Sequence, residues 1–487
     1  STVYTDQAVT NGTTYFYVVS AVTVGGEGPN SAETNATPYV TPTVFTNSAA
    51  GAWNSVTWQP NPPGKPVSGP DITLVFDNAA TAASTNDMGG FMFNQLRLNN
   101  RSVNLAGAPL LFAGTTPQLV SAQNYAHSIA STAYLDQVTI FDIAANTLTL
   151  SGTIDGQGGI SKRGGGTLAV GGALDYSGST LLDGGVFLAL ADRTLAGQIY
   201  FGAAAGSTNT SVLNLGSGSL SFSGMEARNN SVATNTVTIG AGRTLTVRGT
   251  LKVGSYSTSA SSTSRVAIAG AGALSIGSGS GVLKVGDNTG SAGIVSTLDL
   301  SGLATLEMDG TEVTVGNGYS MTASGNTLIL ASNSTVSASY IHVGDMTVSA
   351  PMEMMKLGAG TNVIYADTIG LGTCSGGIYG GGRGDGTLQF NGSSGSLVLR
   401  GRSQAGTDFE IGTGGGAAYG YGTFNVNNHD CDLRVGVLRM GEGTHTTVNT
   451  HTFSFNRGAL EIHALDIGIL MHTNYVQVSE VNLGGGT

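Results

Sequence analysis

Residues 146–190 read NTLTLSGTIDGQGGISKRGGGTLAVGGALDYSGSTLLDGGVFLAL. Short runs such as 147–150 and 186–190 are separated by clusters of Gly, Asn and Asp. The runs are four to six residues long and alternate apolar with polar positions, which is strand spacing. Nothing here has helical periodicity. Glycine permits the positive-φ conformations that sharp corners need. A chain that makes a short strand and turns repeatedly is a globular β protein or, where the runs recur at a fixed spacing, a β-solenoid. Its inward side chains stack on their counterparts in the next coil, so apolar runs recur at a regular distance.

The same style extends in both directions. Upstream, short alternating runs occur at 72–76, 95–98 and 138–143. Downstream, an apolar residue followed by glycine recurs at Val253-Gly254, Val285-Gly286, Val315-Gly316, Val343-Gly344, Ile369-Gly370, Ile411-Gly412, Met440-Gly441 and Ile467-Gly468. These glycines are 26 to 42 residues apart, within the period range of solenoids. The longest interval, 370 to 412, contains a glycine-rich stretch at 376–386 that reads as a loop bulging from one coil. At ~25–30 residues per coil and ~4.8 Å per layer the chain makes ~15–18 coils, a rod roughly 70–90 Å long.

The motif closely resembles the autotransporter-associated β-strand repeat of secreted bacterial passenger domains. The family core of two glycines, an apolar residue, a lysine and a Gly-x-Gly-Thr-Leu step stands here as Gly158-Gly159-Ile160-Ser161-Lys162-Arg163-Gly164-Gly165-Gly166-Thr167-Leu168. The Tyr-x-Gly-x-Thr step is Tyr176-Ser177-Gly178-Ser179-Thr180, and the closing apolar strand is 186–190. The match is specific over about 45 residues; 50–145 and 191–487 follow it more loosely. The resemblance implies a right-handed parallel β-helix on a secreted or surface-displayed protein.

The first forty residues are different. In 7–38, Tyr15, Tyr17 and Val19 alternate with Phe16, Val18 and Ser20, and Gly25-Gly26-Glu27-Gly28-Pro29 marks a turn. Asn11-Gly12-Thr13-Thr14-Tyr15 resembles the lead into the F strand of a fibronectin type III domain. That resemblance makes Tyr15 a tyrosine-corner residue, its hydroxyl bonded to backbone upstream. Such a sandwich needs about seven strands, and only its last two or three are here. The segment reads as part of a longer protein. Strands supplied by a neighbouring subunit, or recruitment as a cap, are the alternatives.

Composition narrows the function classes. Glycine occupies 76 of 487 positions and charged residues are only 10%, against usual values of ~7% and ~25%. A coiled coil needs far more Glu, Lys and Leu. With 19 basic and 30 acidic residues the net charge is −11, which lacks the basic face of a nucleic-acid binder. Glycine does not fall at every third position, so collagen is excluded, and 40% hydrophobic residues argue against simple disorder. No apolar stretch reaches the ~18 residues of a membrane span. No signal peptide opens the chain, so a secreted protein would be present in processed or partial form.

Candidate sites are few. His127, His342, His429, His445, His451, His463 and His472 are scattered. The cluster His429-Asp430-Cys431-Asp432 offers ligand types but lacks the paired spacing of a zinc site, so it reads as a polar turn. Arg383-Gly384-Asp385 is an RGD tripeptide, expected in an exposed loop; a glycine-rich chain produces it by chance. The same loop contains one copy of a calcium-type glycine–aspartate pattern, which needs tandem copies to build a site. Cys374 and Cys431 are about two coils apart, too far for a disulfide without the loop folding back. Sequons occur at Asn11, Asn35, Asn100, Asn209, Asn229, Asn333 and Asn391. For polysaccharide hydrolysis two carboxyls must stand ~5–9.5 Å apart. The i, i+2 pairs Glu307/Asp309 and Asp430/Asp432 meet that on one strand face, with no basic residue evident beside either.

The expectation is therefore an all-β chain: a right-handed parallel β-helix with a short N-terminal β-sandwich fragment. Residues 1–38 form the fibronectin-like segment, 39–70 the linker and lead-in, and 71–487 the helix. The expected role is structural or adhesive and extracellular, with no catalytic residue, metal or cofactor. The expected partners are further copies of the chain, joined end to end or by strand complementation, and cell-surface glycans. No nucleic-acid partner and no membrane insertion are expected. A polysaccharide-binding or polysaccharide-degrading β-helix enzyme is the alternative.

Overall fold

The computed structural model describes residues 3–484, except 11–12, 39–42, 62, 78–81, 100, 123, 203–206, 229–232, 255–261, 289–293, 319–324, 347–351, 374–382, 414–418, 442–449 and 469–477. The fold is all-β, and its main body is a right-handed parallel β-helix. The first parallel pairing joins Val44–Asn47 to Thr73–Asp77, so the wall begins within the proline-rich lead-in. Three strands, one per face, make a coil, as in Ser211–Leu215, Leu220–Phe222 and Met225–Ala227. Parallel pairing followed from Gly51–Ala52 to Val478–Leu483 passes through seventeen strands. At ~4.8 Å per layer that is a wall roughly 75–80 Å tall.

The core is a set of stacked columns. Phe93 and Phe112 pair in register and meet edge to face with centroids 4.7 Å apart, and Phe141 reaches Phe112 from another face at 5.9 Å. The repeated apolar residue of the sequence forms another column, in which Val253, Val285, Val315, Val343, Leu371, Ile411 and Met440 pair in register. The glycine that follows each is the corner. Seven of the eight glycines marked in the sequence have positive φ, and Gly370 does not. Gly370 lies inside Thr361–Leu371, where Ile369 pairs with Ile341. The corner there is Gly372, with φ 60°.

Behind this corner runs a buried polar column. His127, Ser211, Asn235, Ser296, Asn326, Glu353 and His451 are all buried there at or near strand starts. Several take the backbone N–H of their counterpart one coil earlier. Val103 N donates to His127 Nδ1 (3.2 Å), Ser211 N to Asn235 Oδ1 (3.0 Å), Ser296 N to Asn326 Oδ1 (2.7 Å) and Asn326 N to Glu353 Oε2 (2.5 Å). A corner leaves backbone donors outside the ladder, and a buried donor must find an acceptor.

The quoted motif belongs to the same corner. Lys162 is fully buried, and its ammonium donates to the carbonyls of Arg163 (2.6 Å), Gly164 (2.8 Å) and Gly184 (3.1 Å). It thereby ties two successive coils. Burial pulls its pKa down to about 8, against the opposing pull of Asp142. The Tyr-x-Gly-x-Thr step closes on itself through a 2.5 Å bond between the Tyr176 and Thr180 hydroxyls. At Gly178 a Cβ would lie 2.4 Å from the Gly158 carbonyl oxygen, so no side chain fits.

His127 gives the wall an acid-sensitive point. Its Nδ1 accepts from Val103, so its proton sits on Nε2, which has no hydrogen-bond partner among the described residues. Burial pulls its pKa from 6.5 to about 4. Between those values the unfolded chain holds a proton that the fold excludes. The stability this residue contributes is complete above pH 6.5 and is lost as pH falls toward 4, on the order of 3 kcal/mol. Urea melts at pH 7 to 4 are expected to show a shallower acid loss in His127→Leu than in the parent; equal slopes would overturn this.

The N-terminal segment is a pair of antiparallel ladders. Tyr15–Tyr17 pairs with Thr34–Ala36, and Val22–Thr23 with Gly26–Glu27. Thr10 N donates to the Tyr15 hydroxyl at 2.8 Å, the contact expected of a tyrosine corner. Val3, Tyr4, Phe16, Val18, Val19, Val22 and Val24 are exposed.

Candidate functional site

Glu307 and Asp309 lie on Leu303–Gly318 and point outward, because Leu306 and Met308 between and beside them are buried. Their row partners are Ser275 below Glu307 and Thr335 above it, with Ser337 above Asp309 and Tyr365 above Ser337. The register slips here: Ile276 pairs with Met308 and Gly281 with Gly310, so residues 277–280 stand opposite Asp309 alone. This Gly-Ser-Gly-Ser bulge walls one side of a groove of about 560 Å³, lined by Ser275, Ser278, Glu307, Asp309, Thr335, Ser337 and Tyr365. Neither carboxylate makes a hydrogen bond or ion pair among the described residues.

The second carboxylate pair is occupied. Asp430 is bonded to Arg457 (2.8 Å) and Asp432 to Arg400 (2.5 Å), which corrects the expectation that no basic residue stands beside it. Strand pairing brings these arginines in from the coils on either side. A separate, mostly apolar depression of about 430 Å³ lies against Met92, Leu111 and Tyr134. It offers the carboxylate of Asp136 but not a pair.

The remaining candidates take structural places. His429 stacks on Phe390 at 3.7 Å, and its ring nitrogens contact the carbonyls of Asn427 (2.8 Å) and Gly392 (3.0 Å). No face is left for a metal, and among the described residues no group of three His, Cys, Asp or Glu side chains could hold one. Cys431 is a buried free thiol, pushed up to about 12 by burial. Arg383, Gly384 and Asp385 open the strand Arg383–Phe390, and Gly384 is buried, so the tripeptide is wall and not an exposed loop. His463 contacts Glu461 at 2.8 Å on the surface. Asn333 is tied into the ladder by Thr361 N, while Asn35 is exposed on its strand. Cys374, His445, His472, Asn11, Asn100 and Asn229 lie outside the described residues, as does most of the 376–386 loop.

The sequence pointed to Glu307 and Asp309 and missed Ser275, Ser278, Thr335, Ser337 and Tyr365. The available signal was the Gly-Ser-Gly-Ser insertion at 277–280, one coil before the carboxylates. Comparison of the chain with protein-family models, curated proteins and solved structures gave no match. Among the described residues no helix is long and apolar enough to cross a membrane.

Proposed function

We propose that this chain is an extracellular structural and adhesive β-solenoid, displayed on a bacterial surface or built into filaments. The observation that carries the reading is the wall itself: seventeen hydrogen-bonded layers over a continuous apolar core. Load along the axis is shared by three parallel ladders, and the outward rows of Ser, Thr and Asn present a long surface of low charge. The resemblance of 146–190 to passenger-domain repeats supports secretion, and the Lys162 bond to the Gly184 carbonyl gives that motif a physical role in stacking coils. The Tyr15–Thr10 bond supports a fibronectin-like N-terminal segment. Its exposed apolar residues suit strand addition from another copy. No catalytic residue is proposed. A hydrolase sets its two carboxyls in unequal surroundings, whereas Glu307 and Asp309 are both exposed on one face.

Immunogold electron microscopy of the source cells, with antibody to the folded chain, tests this. Label at the cell surface, or along filaments, is the expected result. Label confined to the cytoplasm would sink the reading.

A further inference from the structure

Some outward acids on this solenoid are matched to a base. Lys252 meets Asp287 at 2.9 Å, Lys284 meets Glu312 at 3.1 Å and Arg439 meets Glu410 at 3.5 Å. Arg400 and Arg457 hold the 430/432 pair. Glu307 and Asp309 face hydroxyls instead: Ser275, Ser278, Thr335 and Ser337, with the Tyr365 ring closing the far side. Two unpaired carboxylates among four hydroxyls, in an open groove of about 560 Å³, form an arrangement that stacking of coils does not require.

We infer that this groove is a binding subsite for a neutral oligosaccharide of pyranose units. Alternation sets the two carboxylate-bearing positions about 6.5–7 Å apart along the strand, so they can accept from hydroxyls on different parts of a sugar. Hydrogen bonds to ionised acceptors are the strong class. The protein hydroxyls donate and accept in turn, and the tyrosine ring offers an apolar face with a polar tip, suited to the C–H face of a pyranose. The other ligand classes fit less well. An acidic glycan or nucleic acid would meet two negative charges. A calcium ion needs six to eight oxygens at 2.3–2.6 Å, and no third acidic side chain joins the pair. A peptide adding as a strand needs a free sheet edge, whereas the strand carrying the pair is laddered on both sides. The inference rests on the adhesive part of the reading above and names its ligand class.

The test uses the purified full chain on an array of neutral and acidic oligosaccharides, followed by calorimetric titration of the best neutral binder. Glu307→Gln, Asp309→Asn and Tyr365→Ala are each expected to weaken binding at least tenfold. Asp432→Asn, outside the groove, should leave it unchanged. Circular-dichroism melts of all four variants should match the parent. The inference is overturned by an absence of neutral-sugar binding, by binding that the three groove variants leave intact, or by calcium chloride alone titrating the groove while sugars do not. Surface label in microscopy with no sugar binding would remove the subsite and leave the structural reading standing.

Discussion

Gly286→Val is expected to lower the stability of its coil by on the order of 4 kcal/mol. Two costs combine. Gly286 has φ +72°, a conformation that costs a non-glycine residue ~1–3 kcal/mol and a β-branched one the most. A Cβ there would also stand 2.2–2.4 Å from the whole amide group of buried Asn326. That amide accepts from Ser296 N and donates to Glu353, so displacing it strands buried groups at ~1–3 kcal/mol more. Gly242 supplies the control: its φ is +68°, but nothing lies within 4 Å of its Cβ position. Gly242→Val should therefore show the backbone cost alone. Limited proteolysis with mass mapping should place new cleavages near coils 253–330 in Gly286→Val only. Equal losses of melting temperature in the two variants would show that contact with the polar column contributes nothing.

Trp53→Ala should cost about 3–5 kcal/mol, the range for emptying a buried aromatic site. Both tryptophans of the chain are fully buried. Trp53 packs edge-on against Trp58 (5.5 Å) and Phe91 (5.3 Å), and its Nε1 donates to Ser84 at 2.9 Å. Trp58 Nε1 donates in turn to the Trp53 carbonyl. The cluster closes the interior of the first coil. Because each coil of a solenoid contacts mainly its neighbours, the damage should stay local. Hydrogen exchange should accelerate over 44–98 and remain slow beyond 400, while Trp58 fluorescence shifts to the red. Uniform acceleration along the whole wall would show that the solenoid unfolds as one unit.

Much of this fold is legible because the corner forces its own residues. From residue 250 onward an inward apolar side chain and a left-handed glycine recur together at this corner, so Val285-Gly286 and Val315-Gly316 declare themselves. At 369–372 the sequence is Ile-Gly-Leu-Gly. Both glycines follow an apolar residue, and only pairing of Leu371 with Val343 selects the second as the corner. The groove is half legible for a related reason. Glu307 and Asp309 share a strand, so alternation alone unites them. Tyr365 and Ser275 arrive from other coils, and the 277–280 bulge shifts the count between them. Arg400 and Arg457 are hidden in the same way, since coils of unequal length conceal which residues stand one layer apart.

The polar column behind the corners has an evolutionary and engineering consequence. Several of its side chains serve the coil before them, so the hydrogen-bond debt of one layer is settled by the next. A duplicated or deleted segment restores that relay whenever it spans one whole turn with its own polar residue, as between Asn326 and Glu353, 27 residues apart. Solenoids of this kind can therefore change length in complete turns with little reworking. An indel of one residue at the same place moves the acceptor to the opposite side of the strand and strands the donor it should have met. Length variation among natural or designed versions should be quantised accordingly.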